Sequence, residues 1–106
     1  MNHQTDTKLE YQNFYDELLE KMLDSECFVP DHMRQGYLRY LQYGIKPGSF
    51  GTAILSNDLK NAVCTADHIN SQYIITTVKF MIWNFPANAW GSDEIVNNWK
   101  GLENNV

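Results

Sequence analysis

Side chains suited to bind an anion are concentrated between residues 43 and 60. Lys46 supplies a cation, and the hydroxyl groups of Ser49 and Thr52 can donate hydrogen bonds. Gly48 would let a ligand approach the backbone closely. Ser49 is also the expected cap of a helix, whose first amides lack internal partners and favour an anion. The segment therefore predicts an anion site, although a plain helix corner with a Ser cap would show the same pattern.

Aromatic and cationic side chains flank this segment and would suit the rings and phosphates of a nucleotide. Aromatic faces stack on bases, and guanidinium groups pair with phosphates. Helical spacing favours the core for Tyr37 and a more open position for Tyr40 and Tyr43. The residues predicted to bind the ligand are Arg34, Arg39, Tyr43, Lys46, Gly48, Ser49, Phe50, Thr52, Asn57 and Lys60.

No arrangement of residues indicates catalysis or a cofactor. Cys27 and His32, together with Cys64 and His68, are residue types of a zinc site, but their spacing matches no known zinc finger. A free Cys near an apolar stripe more often behaves as a small hydrophobic residue. No pair of carboxylates stands out as a general acid and base. The sequence therefore predicts a protein that is not an enzyme and that holds neither a metal nor a cofactor.

Length and charge restrict the possible partners. The 106 residues suit one domain, residues 1–106, with a packed core. The net charge of −5 argues against direct DNA binding, which requires a basic face. Residues 1–31 carry eight acidic and two basic side chains, whereas residues 32–66 carry four basic and one acidic. The middle of the chain is therefore a local cationic island.

The sequence shows neither a membrane span nor a secretory signal. No apolar run reaches the ~20 residues that cross a bilayer, and the N-terminus has no apolar signal region. Two cysteines are too few for a disulfide scaffold, so reduced thiols and a cytoplasmic location are expected. The 13% of aromatic residues favours a homo-oligomer, because a chain of this length leaves much apolar surface exposed.

Apolar residues recur at helical spacing through most of the chain, which predicts an all-α fold. We expect a compact bundle of four to five short helices, in which an acidic amphipathic N-terminal helix, residues 1–26, is added to a helical core of residues 30–100. The later helices are predicted at approximately residues 31–43, 49–66, 67 or 71 to 85, and 92–99. The fourth is predicted to bury Tyr73, Ile74, Val78, Met81, Ile82 and Phe85, and the tryptophans Trp83, Trp90 and Trp99 to hold the last helix against the core.

Two stretches of the chain, HMRQGYLRYLQYGIKPGSFGTAILSNDLK and WNFPANAWGSDEIVNNW, resemble a group of small proteins of tailed phages and prophages. The shared features are a Met-Arg helix, a Gly-Ile-x-Pro-Gly-x-Phe turn, an Ala-x-Leu-x-Asn-Asp-Leu helix and a Trp-Gly-Ser turn. The likeness runs from Pro30 to Trp99, about two thirds of the chain, and leaves the acidic first helix outside it. Gly51 stands where a larger apolar residue is expected from the resemblance.

The resemblance implies a function through binding, because small acidic helical phage proteins commonly counteract host defence in this way. One expectation is a sponge that holds an anionic nucleotide signal at an oligomer interface, using Lys46, Ser49, Thr52 and Arg34 or Arg39. A second is an inhibitor of a host defence or nucleic-acid-processing enzyme, with the acidic helix as a nucleic-acid mimic. A third is a structural or accessory phage protein without a ligand. The expected location is the cytoplasm of the infected bacterial host.

Overall fold

The computed structural model describes the backbone of residues 3–104 and the side chains of residues 8–104, and all regular elements in this range are helical. The all-α prediction is therefore confirmed, although the described range holds seven α-helices rather than four to five. The first ends at Lys21 rather than near residue 26, and residues 1 and 2 of its predicted range lie outside the described part. The elements in chain order are α1 (His3–Lys21), α2 (Asp31–Tyr43), α3 (Ser49–Leu55), α4 (Leu59–Thr65), α5 (His68–Gln72), α6 (Ile74–Asn84), α7 (Asp93–Asn98) and a final 3-10 turn (Leu102–Asn104).

Helix α1 packs one face into the core and turns its acidic side chains outward. Tyr15, Leu18 and Met22 are buried, as the apolar stripe predicts. The Tyr15 hydroxyl donates a hydrogen bond of 3.0 Å to the Glu103 carboxylate near the opposite end of the chain. The buried core therefore includes side chains of α1 as well as residues of the range 30–100.

Helix α2 starts and ends where the sequence predicts. Pro30 precedes its first residue, and Gly44 ends it in the left-handed conformation, with a φ of 74°. Tyr40 is fully buried, so the prediction of an open position for this residue is wrong. Its hydroxyl donates to the Ala89 carbonyl, and its own carbonyl accepts a hydrogen bond of 3.0 Å from the Trp99 indole. These partners satisfy the polar atoms of Tyr40 and allow the ring to enter the core.

The prediction of a single central helix over residues 49–66 is wrong, because the helix is interrupted between α3 and α4. Asn57 adopts a φ of 58°, a left-handed conformation that Asn tolerates better than most residues. The Asp58 carboxylate then accepts a hydrogen bond of 3.2 Å from the Asn61 amide and caps α4. The Asn-Asp pair thus ends one helix and starts another, so the two helices form a corner instead of a rod.

The predicted fourth helix is likewise divided, into α5 and α6. The Asp67 carboxylate accepts a hydrogen bond of 2.7 Å from the Asn70 amide and caps α5. Tyr73 leaves helical geometry, with φ −123° and ψ 21°, and α6 begins at the next residue. The β-branched stretch from residue 74 to residue 78 is helical, which confirms the preference for a helix over a strand there.

The turn before α7 joins the last part of the chain to the corner between α3 and α4. Gly91 adopts a φ of 117°, and its amide donates a hydrogen bond of 2.7 Å to the Leu55 carbonyl. The Ser92 hydroxyl accepts a hydrogen bond of 3.2 Å from the Ile95 amide, so its predicted capping role is confirmed. The two stretches that carry the phage resemblance therefore meet at one place in the fold.

Candidate functional site

An open cleft of about 1160 Å³ lies between the loop before α3, the corner between α3 and α4, and the start of α7. Its walls combine hydroxyl, amide and charged side chains with the apolar Pro47, Ala53 and Leu59. The cleft is therefore open to solvent and mixed in polarity, with several hydrogen-bonding groups within one concave surface. Five of the ten predicted ligand-binding residues line it, namely Lys46, Gly48, Ser49, Thr52 and Asn57.

The other five predicted residues lie elsewhere. The Arg34 guanidinium donates to the Val29 carbonyl and pairs with Asp31 at 3.1 Å, beside the start of α2. Arg39 and Tyr43 line a separate groove between α1 and α2. Phe50 is buried in the core, because its ring lies on the inner face of α3, and Lys60 is exposed on α4 outside the cleft wall. Within one chain, Arg34 and Arg39 therefore lie outside the cleft that contains Lys46.

The cleft contains one ammonium group and two carboxylates. Lys46 donates a hydrogen bond to the side-chain oxygen of Asn97, which ties the loop to α7. Asp58 and Asp93 line the same cleft. The basic residues of the local cationic island, residues 32–66, are thus separated from one another in the fold. A ligand with one anionic group and several hydrogen-bond donors matches these charges better than a highly charged anion does.

The start of α3 differs from its prediction, since Gly48 and not Ser49 occupies the capping position. Ser49 is the first helical residue, and the structure shows no side-chain cap for this helix. The Thr52 hydroxyl donates to the Pro47 carbonyl at 2.7 Å and so holds the loop against the helix. The hydroxyl oxygen of Ser56, which lines the cleft, is buried without a hydrogen-bond partner in the described part of the chain.

The first turn of α4 also faces the cleft, but the protein's own carboxylate occupies it. Besides the Asn61 amide, Asp58 accepts a hydrogen bond of 2.6 Å from the Asn61 side chain. A carboxylate at this position neutralises the partial positive charge of the helix end. We therefore place any anion nearer Lys46 and Ser49 than at α4.

The shifted pKa values reflect burial and capping. Burial raises the pKa of the phenol groups of Tyr37 and Tyr40, and it also raises the pKa of the Cys27 thiol. The pKa of the Asp67 carboxyl is lowered, chiefly because the Asn70 amide donates to the charged form. All of these groups lie outside the cleft wall, and their shifts follow from their structural positions.

The cysteines and histidines considered for a metal are placed in different environments. His32 contacts the Asp67 carboxylate at 2.9 Å, and the buried Cys27 thiol donates to the Lys21 carbonyl. Cys64 is exposed on α4. Within residues 3–104, as far as their side chains are described, no three His, Cys, Asp or Glu residues cluster closely enough to hold a metal ion.

A second surface, which the sequence did not predict, is the outer side of α6. Ile82 was expected in the core and Trp83 against the last helix, but more than half of each side chain is exposed. Trp99 is buried and Trp90 half-buried, so two of the three tryptophans fit their predicted packing. The signal was available in the sequence, since α6 carries apolar residues around most of its circumference and a single core can cover only one side. We call Ile75, Lys79, Ile82 and Trp83 the α6 face.

Comparison with known protein families, curated proteins and solved structures finds no match to this chain. The resemblance to phage proteins therefore stays a prediction. No helix in the described range is both long and apolar enough to cross a membrane.

Proposed function

We propose that this protein is a non-enzymatic phage-type binding protein, which sequesters a phosphorylated ligand of the nucleotide class in the cleft beside α3 and so counteracts host defence. The observation that carries the proposal is the meeting of Lys46, Ser49 and Asn57 around one open cleft. The phage resemblance supports the biological role, because small acidic helical phage proteins commonly counteract host defence by binding. Sequestration requires binding and no catalysis.

The charges of the cleft support a nucleotide-type ligand over a simple anion. One phosphate group matches the Lys46 ammonium and the Ser49 hydroxyl. Sugar hydroxyls and exocyclic amines are donors, and Asp93 can accept from them. A free polyphosphate carries no such donors and would meet two carboxylates. The favoured ligand is therefore a mononucleotide, a cyclic mononucleotide or a dinucleotide with few exposed charges.

A thermal-shift panel of these nucleotides tests the proposal. A ligand at one hundred times its dissociation constant raises the free energy of unfolding by about 2.7 kcal/mol. Lys46→Glu should abolish the rise, and Asp93→Asn should increase it because a carboxylate leaves the cleft. Lys100→Glu is the matched control, since Lys100 is exposed and lies outside the cleft wall. The absence of any shift across the panel would contradict the proposal.

A second candidate function is inhibition of a nucleic-acid-processing enzyme by the acidic outer side of α1. Glu10, Asp16, Glu17 and Glu20 are exposed there. Deletion of residues 1–26 would not test this function, because it removes buried side chains from the core. Reversal of two exposed charges, Glu10→Lys with Glu17→Lys, leaves the core intact and should abolish inhibition of a purified host nuclease. Inhibition that survives the reversal would exclude the mimic.

A further inference from the structure

The α6 face is apolar and uncovered among the described residues. Ile75 is 72% exposed, and Ile82 and Trp83 are each more than half exposed. The apolar surface continues onto α4, because Leu59 is also largely exposed and shares the lining of a small cavity with Val78 of α6. Soluble monomers seldom leave so many large apolar side chains together in water, so this surface is expected to be covered by a partner.

The charge pattern of the α6 face restricts what can cover it. Lys79 lies between Ile75 and Ile82, four residues after the first and three before the second, on the same side of the helix. Neither α4 nor α6 contains an acidic residue, and their charged side chains are Lys60 and Lys79. Two α6 faces packed on each other would bring lysines together, which is unfavourable in an apolar contact. The face therefore fits a surface that combines apolar side chains with carboxylates.

The outer side of α1 is such a surface. Leu9, Asp16 and Glu20 are spaced by seven and four residues, which places them on one side of the helix, and all three are exposed. Leu23 follows three residues later in the turn after the helix and is more than half exposed. Leucines thus flank two carboxylates, in the reverse charge pattern to the isoleucines that flank Lys79. The opposite side of α1 is already packed into the core of its own chain.

We propose that the outer side of α1 of a second copy packs on the α6 face, with Asp16 and Glu20 of one copy facing Lys79 of the other. A two-fold axis makes the contact reciprocal, so that each dimer contains it twice. The interface combines burial of the exposed apolar side chains with charge pairs that fix the orientation of the two chains. None of the residues of the α6 face and none of the four α1-side residues lines the ligand cleft, whereas Leu59, onto which the apolar surface continues, also lines it.

Sedimentation velocity over a concentration series tests the dimer. The wild-type chain should sediment as a dimer, and the total tryptophan emission should shift to shorter wavelength as the dimer buries the exposed Trp83. Lys79→Glu alone and the pair Asp16→Lys with Glu20→Lys should each raise the dissociation constant at least about tenfold, because like charges then meet. Lys100→Glu is the control, because it makes the same change of charge as Lys79→Glu at a position outside both surfaces. Circular dichroism establishes that each variant is folded, as expected for exposed positions.

A mixture of the two charge variants gives the decisive result. One chain then carries carboxylates on both surfaces and the other carries lysines on both, so a mixed dimer has opposite charges at each of its two contacts. The mixture should dimerise with a dissociation constant within a few-fold of the wild-type value, although each variant alone dimerises at least about tenfold more weakly. A wild-type chain that stays monomeric at about 100 µM would overturn the proposal. So would a dimer that responds to Lys79→Glu but not to the α1 variant, which would indicate contact between two α6 faces.

Discussion

Gly36 in α2 and Gly44 directly after it should respond in opposite directions to substitution by alanine. Gly36 lies inside the helix, where a methyl group would sit 3.5 Å from the Pro47 side chain, an ordinary van der Waals distance. Gly44 ends the helix with a φ of 74°, and its methyl group would lie 2.7 Å from the Trp99 carbonyl oxygen. We therefore expect Gly36→Ala to stabilise the protein and Gly44→Ala to destabilise it.

The magnitudes follow from helix propensity, backbone strain and overpacking. Alanine inside a helix is more favourable than glycine by about 1 kcal/mol, which raises the midpoint of thermal unfolding by about 4–8 °C in a domain of this length. At Gly44 the left-handed conformation costs alanine about 1–2 kcal/mol. The close carbonyl of Trp99 belongs to the backbone and cannot rotate away, so overpacking adds about 1–3 kcal/mol. The combined loss is a large fraction of the 5–15 kcal/mol that stabilises a typical domain.

Urea unfolding followed by far-ultraviolet circular dichroism measures both changes. Gly91→Ala is an informative control, because Gly91 has a φ of 117° but no described atom within 4 Å of the added methyl group. This variant reports backbone strain without overpacking. A Gly44→Ala protein as stable as the wild type would refute the left-handed helix end and the close approach to Trp99. Loss of stability in Gly36→Ala would refute the space inferred beside Pro47.

Three further substitutions test the caps and the buried polar contacts. Asp58→Ala removes the cap of α4 and should lower the free energy of unfolding by about 1 kcal/mol in urea titration, whereas Asp58→Ser should retain most of it. Tyr40→Phe leaves the Ala89 carbonyl without its buried donor and should cost about 1–3 kcal/mol; an unchanged urea midpoint would contradict the hydrogen bond. The pKa of the Asp67 carboxyl is lowered in the fold, so its stabilisation is present above its unfolded pKa and is lost as pH falls through the lower folded pKa. As the pH falls from about 5 to about 2, a range that includes the ordinary carboxyl pKa, the urea midpoint should therefore fall less steeply for Asp67→Ala than for the wild type.

The helical class and several helix ends could be predicted from local sequence because each depends on residues close together in the chain. Pro30 and Gly44 bound α2, and Ser92 caps α7, each through its own backbone preference or a hydrogen bond three residues away. These are short-range effects that need no knowledge of the rest of the fold. The divided central helix also had a local signal in Asn57-Asp58, but the apolar spacing across it favoured continuity and masked the break.

The set of residues that line the cleft could not be predicted from the sequence, because it depends on contacts between distant parts of the chain. Lys46 meets Asn97 only because the turn at Gly91 brings α7 back to the corner between α3 and α4. Arg34 is engaged by Asp31 in its own helix, an arrangement compatible with the sequence but not required by it. Proximity in sequence therefore overestimated the positive charge of the site, because the fold leaves the arginines outside the cleft and adds the Asp93 carboxylate to that of Asp58, which belongs to the central segment itself.

The motifs that looked most distinctive in the sequence have structural roles that bear on how function should be tested. Asn57 and Asp58 form the corner between α3 and α4. Ser92 caps α7 and directly follows Gly91, whose amide donates to the Leu55 carbonyl. These residues would be needed for the fold whether or not the cleft binds a ligand, so loss of activity on their substitution would not identify a binding site. Lys46 makes only an exposed contact and lies in no helix, so its substitution changes the chemistry of the cleft with little effect on the fold. A functional test at Lys46 therefore separates binding from folding, which the motif residues cannot do.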